Sequence, residues 1–162
     1  MADEKLIKKA NGVFDTICAV LDKIEFKYEK FPEDLVVRCN VSGDDLPMEL
    51  LYFVNPDAEC VSLFSYMPFN VPEEKKNDIA VAIAVANYGL RNGSFDFDME
   101  NGRVRYRLAQ SYVGSILGEE MYISMLANVS HTVDQYNDKF FMIVKNMMSL
   151  EQFIDWERNG NN

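Results

Sequence analysis

The residues best suited to chemistry are few, and they form no recognised catalytic pattern. His131 is the chain's only histidine and could act as a general base, but no serine or cysteine nucleophile motif accompanies it. Two acidic pairs, Asp44-Asp45 and Glu119-Glu120, fall at a predicted turn and a predicted helix start, which are ordinary places for carboxylates. The sequence therefore predicts no catalytic residues and no enzymatic activity.

The charged residues that alternate along the chain around residue 100 could form either a cation-binding site or an anion-binding site. Asp96 and Asp98 could hold a metal ion, and Arg103, Arg105 and Arg107 could bind an anion. In the predicted hairpin the acidic and basic rows face each other, so mutual pairing is favoured over either site. The sequence also lacks a glycine-rich phosphate-binding motif. We predict neither a metal site nor a cofactor.

Composition narrows the classes of function. The 162 residues carry a formal net charge of −10, and such a surface repels nucleic acid and anionic lipid, which are attracted by Lys and Arg. It leaves room for a protein partner. The sequence contains no apolar run of the length that spans a bilayer, and its first residues lack the apolar core of a signal peptide. We expect a cytoplasmic protein whose three cysteines are reduced.

A β-hairpin at residues 94–108 is the clearest structural signal. Apolar residues alternate with acidic ones before Asn101-Gly102 and with arginines after it. Asn-Gly is typical of a two-residue type I′ turn. Such a turn would place Asp98 opposite Arg105 and Asp96 opposite Arg107.

Hydrophobic periodicity predicts the other elements. A spacing of three to four residues predicts a helix over 3–25, a middle helix that ends near residue 89, and a helix of about 30 residues from residue 118. Alternation predicts four strands between the first two helices, at 26–31, 35–41, 48–54 and 60–69. Ser149 and Gln152 form a capping-box pattern before a short last helix.

These elements predict one α+β domain over residues 1–162 with an antiparallel sheet. The predicted order is α-β-β-β-β-α-β-β-α, followed by a short C-terminal helix and a frayed end within 149–162.

The central strands are apolar on both faces, so something must cover the face that the helices leave open. The middle helix, the C-terminal tail or another subunit could do so. The face could instead receive a partner segment, through backbone pairing at a sheet edge and apolar pockets for side chains. The candidate contact residues, which would suit a core equally well, are Leu51, Phe53, Val61, Leu63 and Met67.

Eight residues form a pattern of a helix that ends in Asn, a Gly-x-Phe strand, a Gly turn and an alternating strand with Arg. They are Asn87, Gly93, Phe95, Asp98, Gly102, Val104, Tyr106 and Arg107. With the order of elements, this pattern resembles the YbjN-type family of bacterial sensory-transduction-regulator proteins. The resemblance implies a non-enzymatic α+β domain, similar in fold to type III secretion chaperones, that binds proteins and often forms a homodimer. The chain departs from the family pattern at 149–162, where a docked Trp156 could cover a surface that other members use for dimerisation.

We therefore predict a bacterial protein-binding module, an adaptor or chaperone-like regulator in signalling or stress response, with an unidentified protein partner. The alternative is a small-molecule-binding or enzymatic domain with a pocket between the hairpin and the irregular segment 112–117, lined by Arg105, Arg107 and Tyr112. A third alternative is a structural homodimer that serves to dimerise a larger complex.

Overall fold

Helices and strands follow one another in the predicted order in a computed structural model, which describes residues 3–160. The strands are β1 (Tyr28–Phe31), β2 (Val36–Ser42), β3 (Pro47–Asn55), β4 (Cys60–Asn70), β5 (Ser94–Asp98) and β6 (Arg103–Ser111). The helices are α1 (Glu4–Lys23), α2 (Lys76–Gly89), α3 (Glu119–Val144) and α4 (Leu150–Gly160). The strands form one sheet in the order β1-β2-β3-β4-β6-β5, with every neighbouring pair antiparallel. The predicted fold class is confirmed.

The two faces of the sheet differ in what covers them. On the inner face, alternate apolar side chains of the strands are buried beneath α1 and α3. Tyr52 of β3 ties these layers together, because its buried hydroxyl donates to the carbonyl of Tyr122 in α3 (2.7 Å). On the outer face, the side chains of the central strands shield one another, and most of them stay half-buried.

A side-chain amide attaches α2 to the edge of the sheet. Asn87, in the last turn of α2, donates through Nδ2 to the Phe95 carbonyl (3.0 Å) and accepts the Phe95 N–H through Oδ1 (2.8 Å). Because β5 is an edge strand, the amide takes the place of a further strand at this residue. Gly93 has a φ of +71°, and a Cβ there would lie 2.6 Å from the Tyr106 hydroxyl, so glycine is required before β5.

A chain of aromatic rings carries the core from the sheet to the C-terminal helix. The Phe95 ring contacts those of Tyr106, Tyr136 and Phe140, at centroid distances of 4.9, 5.3 and 5.0 Å. Phe140 stacks in turn on Phe153 of α4 (5.6 Å), which is completely buried. The rings therefore join β5, β6, α3 and α4 in one core.

The helix α4 begins at the capping box that the sequence predicts. The Gln152 N–H donates to Ser149 Oγ (3.1 Å), and the Ser149 N–H donates to the Gln152 side-chain oxygen (2.8 Å). Trp156, one turn after Phe153, lies edge-on to Tyr136 (5.3 Å). The helix continues to Gly160; residues 161–162 of the predicted frayed end lie outside the described residues.

The predicted register of the hairpin is wrong. β5 and β6 pair Asp98 with Arg103 and Asp96 with Arg105, so each arginine lies two residues away from the predicted partner. Four residues, rather than Asn101-Gly102 alone, form the connection.

The Asp98 carboxylate explains the longer connection. Asp98 Oδ1 accepts the N–H groups of Glu100 and Asn101 (3.0 and 3.2 Å), and the Asp98 carbonyl accepts the Gly102 N–H (2.8 Å). An aspartate that bonds the backbone ahead of it stabilises such a turn locally. Gly102 has a φ of +67° and lies against the Val71 carbonyl, 2.3 Å from where its Cβ would be, so glycine is needed here too.

We expect Asn87→Ala to lower the free energy of unfolding by about 1–3 kcal/mol, because the Phe95 N–H and carbonyl both lose their partner. Asn77→Ala on the exposed side of the same helix is the control and should change stability by less than about 0.5 kcal/mol. Urea denaturation followed by circular dichroism measures both. Equal effects of the two substitutions would contradict the role given to the Asn87 amide.

We expect Phe153→Ala to lower the free energy of unfolding by about 3–5 kcal/mol, because it empties a fully enclosed site among the aromatic rings. Tyr88→Ala removes a similar ring that is 95% exposed, and its effect should stay below about 0.5 kcal/mol. The same denaturation measurement compares them. A small effect of Phe153→Ala would mean that α4 does not dock in solution.

Candidate functional site: the outer face of the sheet

The outer face is assembled from alternate residues of neighbouring strands. The register places Leu51 of β3 between Arg38 of β2 and Phe64 of β4, and places Phe64 beside Arg107 of β6. This row therefore has two apolar side chains at its centre and an arginine on either side. Arg38 and Arg107 lie three strand spacings apart, or about 14 Å at 4.8 Å per spacing. The half-buried apolar residues at the centre of this face, called the outer patch below, are Val36, Leu51, Phe53, Phe64 and Tyr66.

Arginines of β6 lie over the aromatic rings of the outer patch. The Arg105 guanidinium is 4.7 Å from the centroid of Phe64 and donates to the Tyr66 hydroxyl (3.3 Å). The Arg103 guanidinium lies over the ring of Tyr66, 4.5 Å from its centroid. Such stacking buries the stems of the arginines and leaves their charge at the surface. The outer patch is thus apolar at its centre and cationic along the β6 side.

One carboxylate holds two of these arginines in place. Asp96 accepts hydrogen bonds from Arg105 Nε (3.0 Å), Arg107 Nε (2.8 Å) and Arg107 Nη2 (3.3 Å). Burial on its own would raise the pKa of the Asp96 carboxyl, but the hydrogen bonds and charges of Arg107 and Arg105 together hold that pKa below its ordinary value. Of the acidic row, Asp96 makes the predicted kind of ion pair, with Arg105 and Arg107, and it lies opposite Arg105 instead of Arg107.

The five contact residues proposed from the sequence do not share one face. Leu51 and Phe53 lie in the outer patch, and both are half-buried. Val61, Leu63 and Met67 point to the inner face beneath the helices, with exposed fractions of 0%, 0% and 6%. Sequence reasoning missed Val36, Phe64 and Tyr66 as their neighbours. The alternation within β4 separated Phe64 from Leu63, but only the register with β3 shows which set joins Leu51.

The residues predicted to line the alternative pocket lie at two separate places in the structure. A cavity of about 450 Å³ opens between Tyr66 and the hairpin, and Arg105 and Arg107 line it. Tyr112 follows the far end of β6, about 23 Å from Arg105 at 3.3 Å per residue. Its completely buried hydroxyl group donates to the Asn55 carbonyl (3.2 Å). The structure does not bring Tyr112 together with the two arginines.

The other residues singled out for chemistry lie apart from one another. His131 is exposed on α3, Asp44 and Asp45 lie in the turn between β2 and β3, and Glu119 and Glu120 open α3. Within residues 3–160, no group of three or more His, Cys, Asp or Glu side chains is placed to hold a metal ion. No helix of this same range combines the length and apolar character needed to cross a membrane.

The eight residues of the sequence pattern hold the hairpin and α2 together. Asn87 binds the Phe95 backbone, and Gly93 and Gly102 occupy backbone positions that need glycine. Asp98 stabilises the turn. The remaining members are the buried Phe95, Val104 and Tyr106 and the ion-paired Arg107.

The model of the YbjN family, described as "Putative bacterial sensory transduction regulator", matches residues 14–142. The chain belongs to the YbjN family. The resemblance seen in the sequence is thereby confirmed, and the match includes the whole sheet but ends before α4. No curated protein sequence matches the chain significantly.

Two solved structures share the YbjN-type fold of this chain. The crystal structure of YbjN from E. coli superposes with a TM-score of 0.58 at 9% identity, covering 76% of this chain and 87% of that one. A chain of the ExsC–ExsE complex gives a TM-score of 0.56 at 15% identity, covering 78% of this chain and 92% of that one. At identities this low, the two matches show a shared fold alone. The predicted likeness in fold to a type III secretion chaperone is confirmed.

We expect Asp96→Asn to destabilise the protein by roughly 0.5–1.5 kcal/mol at neutral pH, a modest value because the ion pairs are partly exposed. The native pKa of Asp96 is lowered, so its stabilisation is full above the unfolded pKa of about 3.9 and is lost as pH falls through the native pKa. The difference between wild type and variant should therefore shrink below about pH 4.

Urea denaturation between pH 3 and pH 7 tests this expectation. Asp57→Asn, at an exposed turn position, serves as the control and should show a small difference throughout. A difference between wild type and Asp96→Asn that grows on acidification would contradict the stabilising role of the Asp96 ion pairs.

Proposed function

We propose that this YbjN-family protein is a cytoplasmic, non-enzymatic protein-binding module, an adaptor or chaperone-like regulator, which captures an apolar segment of a partner on the outer patch. The observation that carries the proposal is the outer patch itself. Aromatic and aliphatic side chains lie half-covered at the centre of the sheet, with arginines on both sides.

The chemistry of the outer patch suits a protein segment. Phenylalanine, tyrosine and arginine are residue types enriched in protein interfaces, and rigid aromatic anchors supply much of their binding energy. Arg105 and Arg103 already stack on the aromatic rings. These two side chains therefore lose little conformational entropy when a partner binds. The space of about 14 Å between the flanking arginines accommodates one helix of 10–12 Å diameter or an extended strand.

Charge narrows the kind of segment further. The whole chain has a net charge of −10, yet Arg38, Arg105 and Arg107 border the outer patch. Asp96 and the exposed Glu29 and Glu49 offset part of this charge. A segment with apolar residues at its centre and an acidic residue toward β6 would complement this arrangement.

The comparisons support a protein partner at the level of the fold. The neighbour with a TM-score of 0.56 was solved in the ExsC–ExsE complex, so the fold occurs in a protein that binds another protein. The family description as a sensory transduction regulator is consistent with a binding role in signalling.

The double variant Leu51→Thr, Phe53→Thr tests the outer patch. Threonine favours β-strands, so we expect this variant to fold while losing two apolar anchors. In affinity purification from the native bacterial lysate, the wild type should retain a stoichiometric partner, and the variant should retain at least tenfold less of it. Val113→Thr, at a 62% exposed apolar site outside the sheet, is the matched control and should bind as wild type does.

Two further measurements decide what a loss of binding means. Leu63→Asn, in the core, should unfold the protein because it buries a polar amide without a partner, whereas circular dichroism of the double variant should match wild type. Sedimentation velocity gives the mass in solution. Full partner retention by the double variant, or a homodimer that the double variant dissociates, would contradict capture of a partner on the outer patch.

The hairpin cavity supports a second candidate function, small-molecule binding. Its volume of about 450 Å³ lies within the range of ligand pockets, and Arg103, Arg105 and Arg107 favour an anionic ligand. A thermal-shift screen with nucleotides and organic anions tests it, since a ligand at 100 times its Kd stabilises by about 2.7 kcal/mol. A shift that Arg105→Ala abolishes would favour this candidate over protein capture.

A further inference from the structure

A second surface of the molecule is an open groove between α2, α3 and α4, with a volume of about 1290 Å³. One side of α2 lines it through Val81, Ala84, Val85 and Tyr88, which are spaced at i, i+3, i+4 and i+7. Val81 is 45% exposed and Tyr88 is 95% exposed. A helix normally turns such a stripe toward a packing partner, yet the opposite side of α2 already enters the core.

Cationic side chains border this groove. Arg91, just after α2, and Arg158 of α4 both line it. The carboxylate among the lining residues, Glu157, accepts the Tyr136 hydroxyl at 2.9 and 2.8 Å. Two arginines beside an apolar stripe stand out on a chain whose net charge is −10.

The wall formed by α4 lies outside the region that matches the family model. The YbjN match ends at residue 142, whereas α4 spans Leu150–Gly160. The capping box and the buried ring of Phe153 fix this helix firmly in place. Glu157 and Arg158 of this helix therefore line the groove at defined positions.

We propose that the groove between α2, α3 and α4 binds an amphipathic, acidic helical segment of a partner protein, separately from the outer patch. The apolar side of this helix packs on the stripe from Val81 to Tyr88, and its acidic residues pair with Arg91.

The dimensions and residue types favour this occupant. Pockets for small molecules have volumes of about 300–1,000 Å³, and this groove is larger and open. A helix laid along α2 meets the stripe with residues of the same three-to-four spacing, as in other helix-in-groove complexes. Tyr88 and Arg91 belong to the residue types that dominate binding energy in interfaces.

A phage-displayed library of 16-residue helical peptides, randomised on all faces, tests the proposal against the full-length protein. Peptides enriched on wild type should carry apolar residues at i, i+3 or i+4, and i+7 together with an excess of Asp and Glu. Synthetic copies are then measured by fluorescence anisotropy. Ala84→Glu, at an exposed position on α2, should weaken their binding at least tenfold, and so should Arg91→Glu.

Controls separate this site from the outer patch. The Leu51→Thr, Phe53→Thr variant should bind the enriched peptides within twofold of wild type, and raising NaCl from 50 to 500 mM should weaken binding to wild type. Failure of the proposed function would leave these results unchanged, because they depend on the groove alone.

Three results would overturn the proposal. They are the absence of enrichment above an unrelated protein, enriched peptides that bind Ala84→Glu as well as wild type, and a wild-type dimer that Ala84→Glu converts to a monomer. The last result would show that a second copy of this chain, rather than an acidic helix, occupies the groove.

Discussion

The two hydrogen bonds between the Asn87 amide and the Phe95 backbone decide how this molecule is assembled. They fix the end of α2 at the edge of the sheet, and they orient β5 so that the Phe95 ring enters the core. The ring then contacts Tyr106, Tyr136 and Phe140, through which α3 and α4 are positioned. A residue with both a donor and an acceptor is needed at position 87, because only such a side chain can satisfy both backbone groups of an edge strand. This requirement gives a structural meaning to the Asn, the Gly-x-Phe strand and Tyr106 in the family pattern.

The open outer face follows from the same arrangement. α1 and α3 cover the inner face, and α2 and α4 are held at the β5 end by Asn87 and the aromatic rings, so they pack beside the sheet. The outer apolar residues must then be shielded by their neighbours. Arg105 and Arg103 do this by lying over Phe64 and Tyr66, since a guanidinium can cover a ring and still be hydrated.

Much of the fold could be predicted because its signals are local. The alternation of Leu51 and Phe53, the spacing in α3 and the Ser149–Gln152 capping box each depend on residues close in sequence. The hairpin register could not be predicted from Asn101-Gly102, because the side chain of Asp98 bonds the turn and overrides the preference of that dipeptide.

The candidate site was only partly predictable because it depends on strand pairing. Leu63 and Phe64 are equally apolar neighbours in sequence, but one is completely buried and the other joins Leu51 on the outer face. Which side of β4 is covered is decided by α3, which lies far from β4 along the chain. The groove beside α2 depends likewise on where Phe153 docks, which periodicity within α4 cannot indicate.

The two surfaces meet at β5, a strand of five residues. Phe95 points inward and is bound by α2, while its neighbour Asp96 points outward and holds Arg105 and Arg107 beside the outer patch. Adjacent residues of a strand are rigidly related, because they alternate across one backbone. Two adjacent residues of β5 therefore serve different surfaces, because Phe95 receives α2 beside the groove and Asp96 holds the arginines at the border of the outer patch.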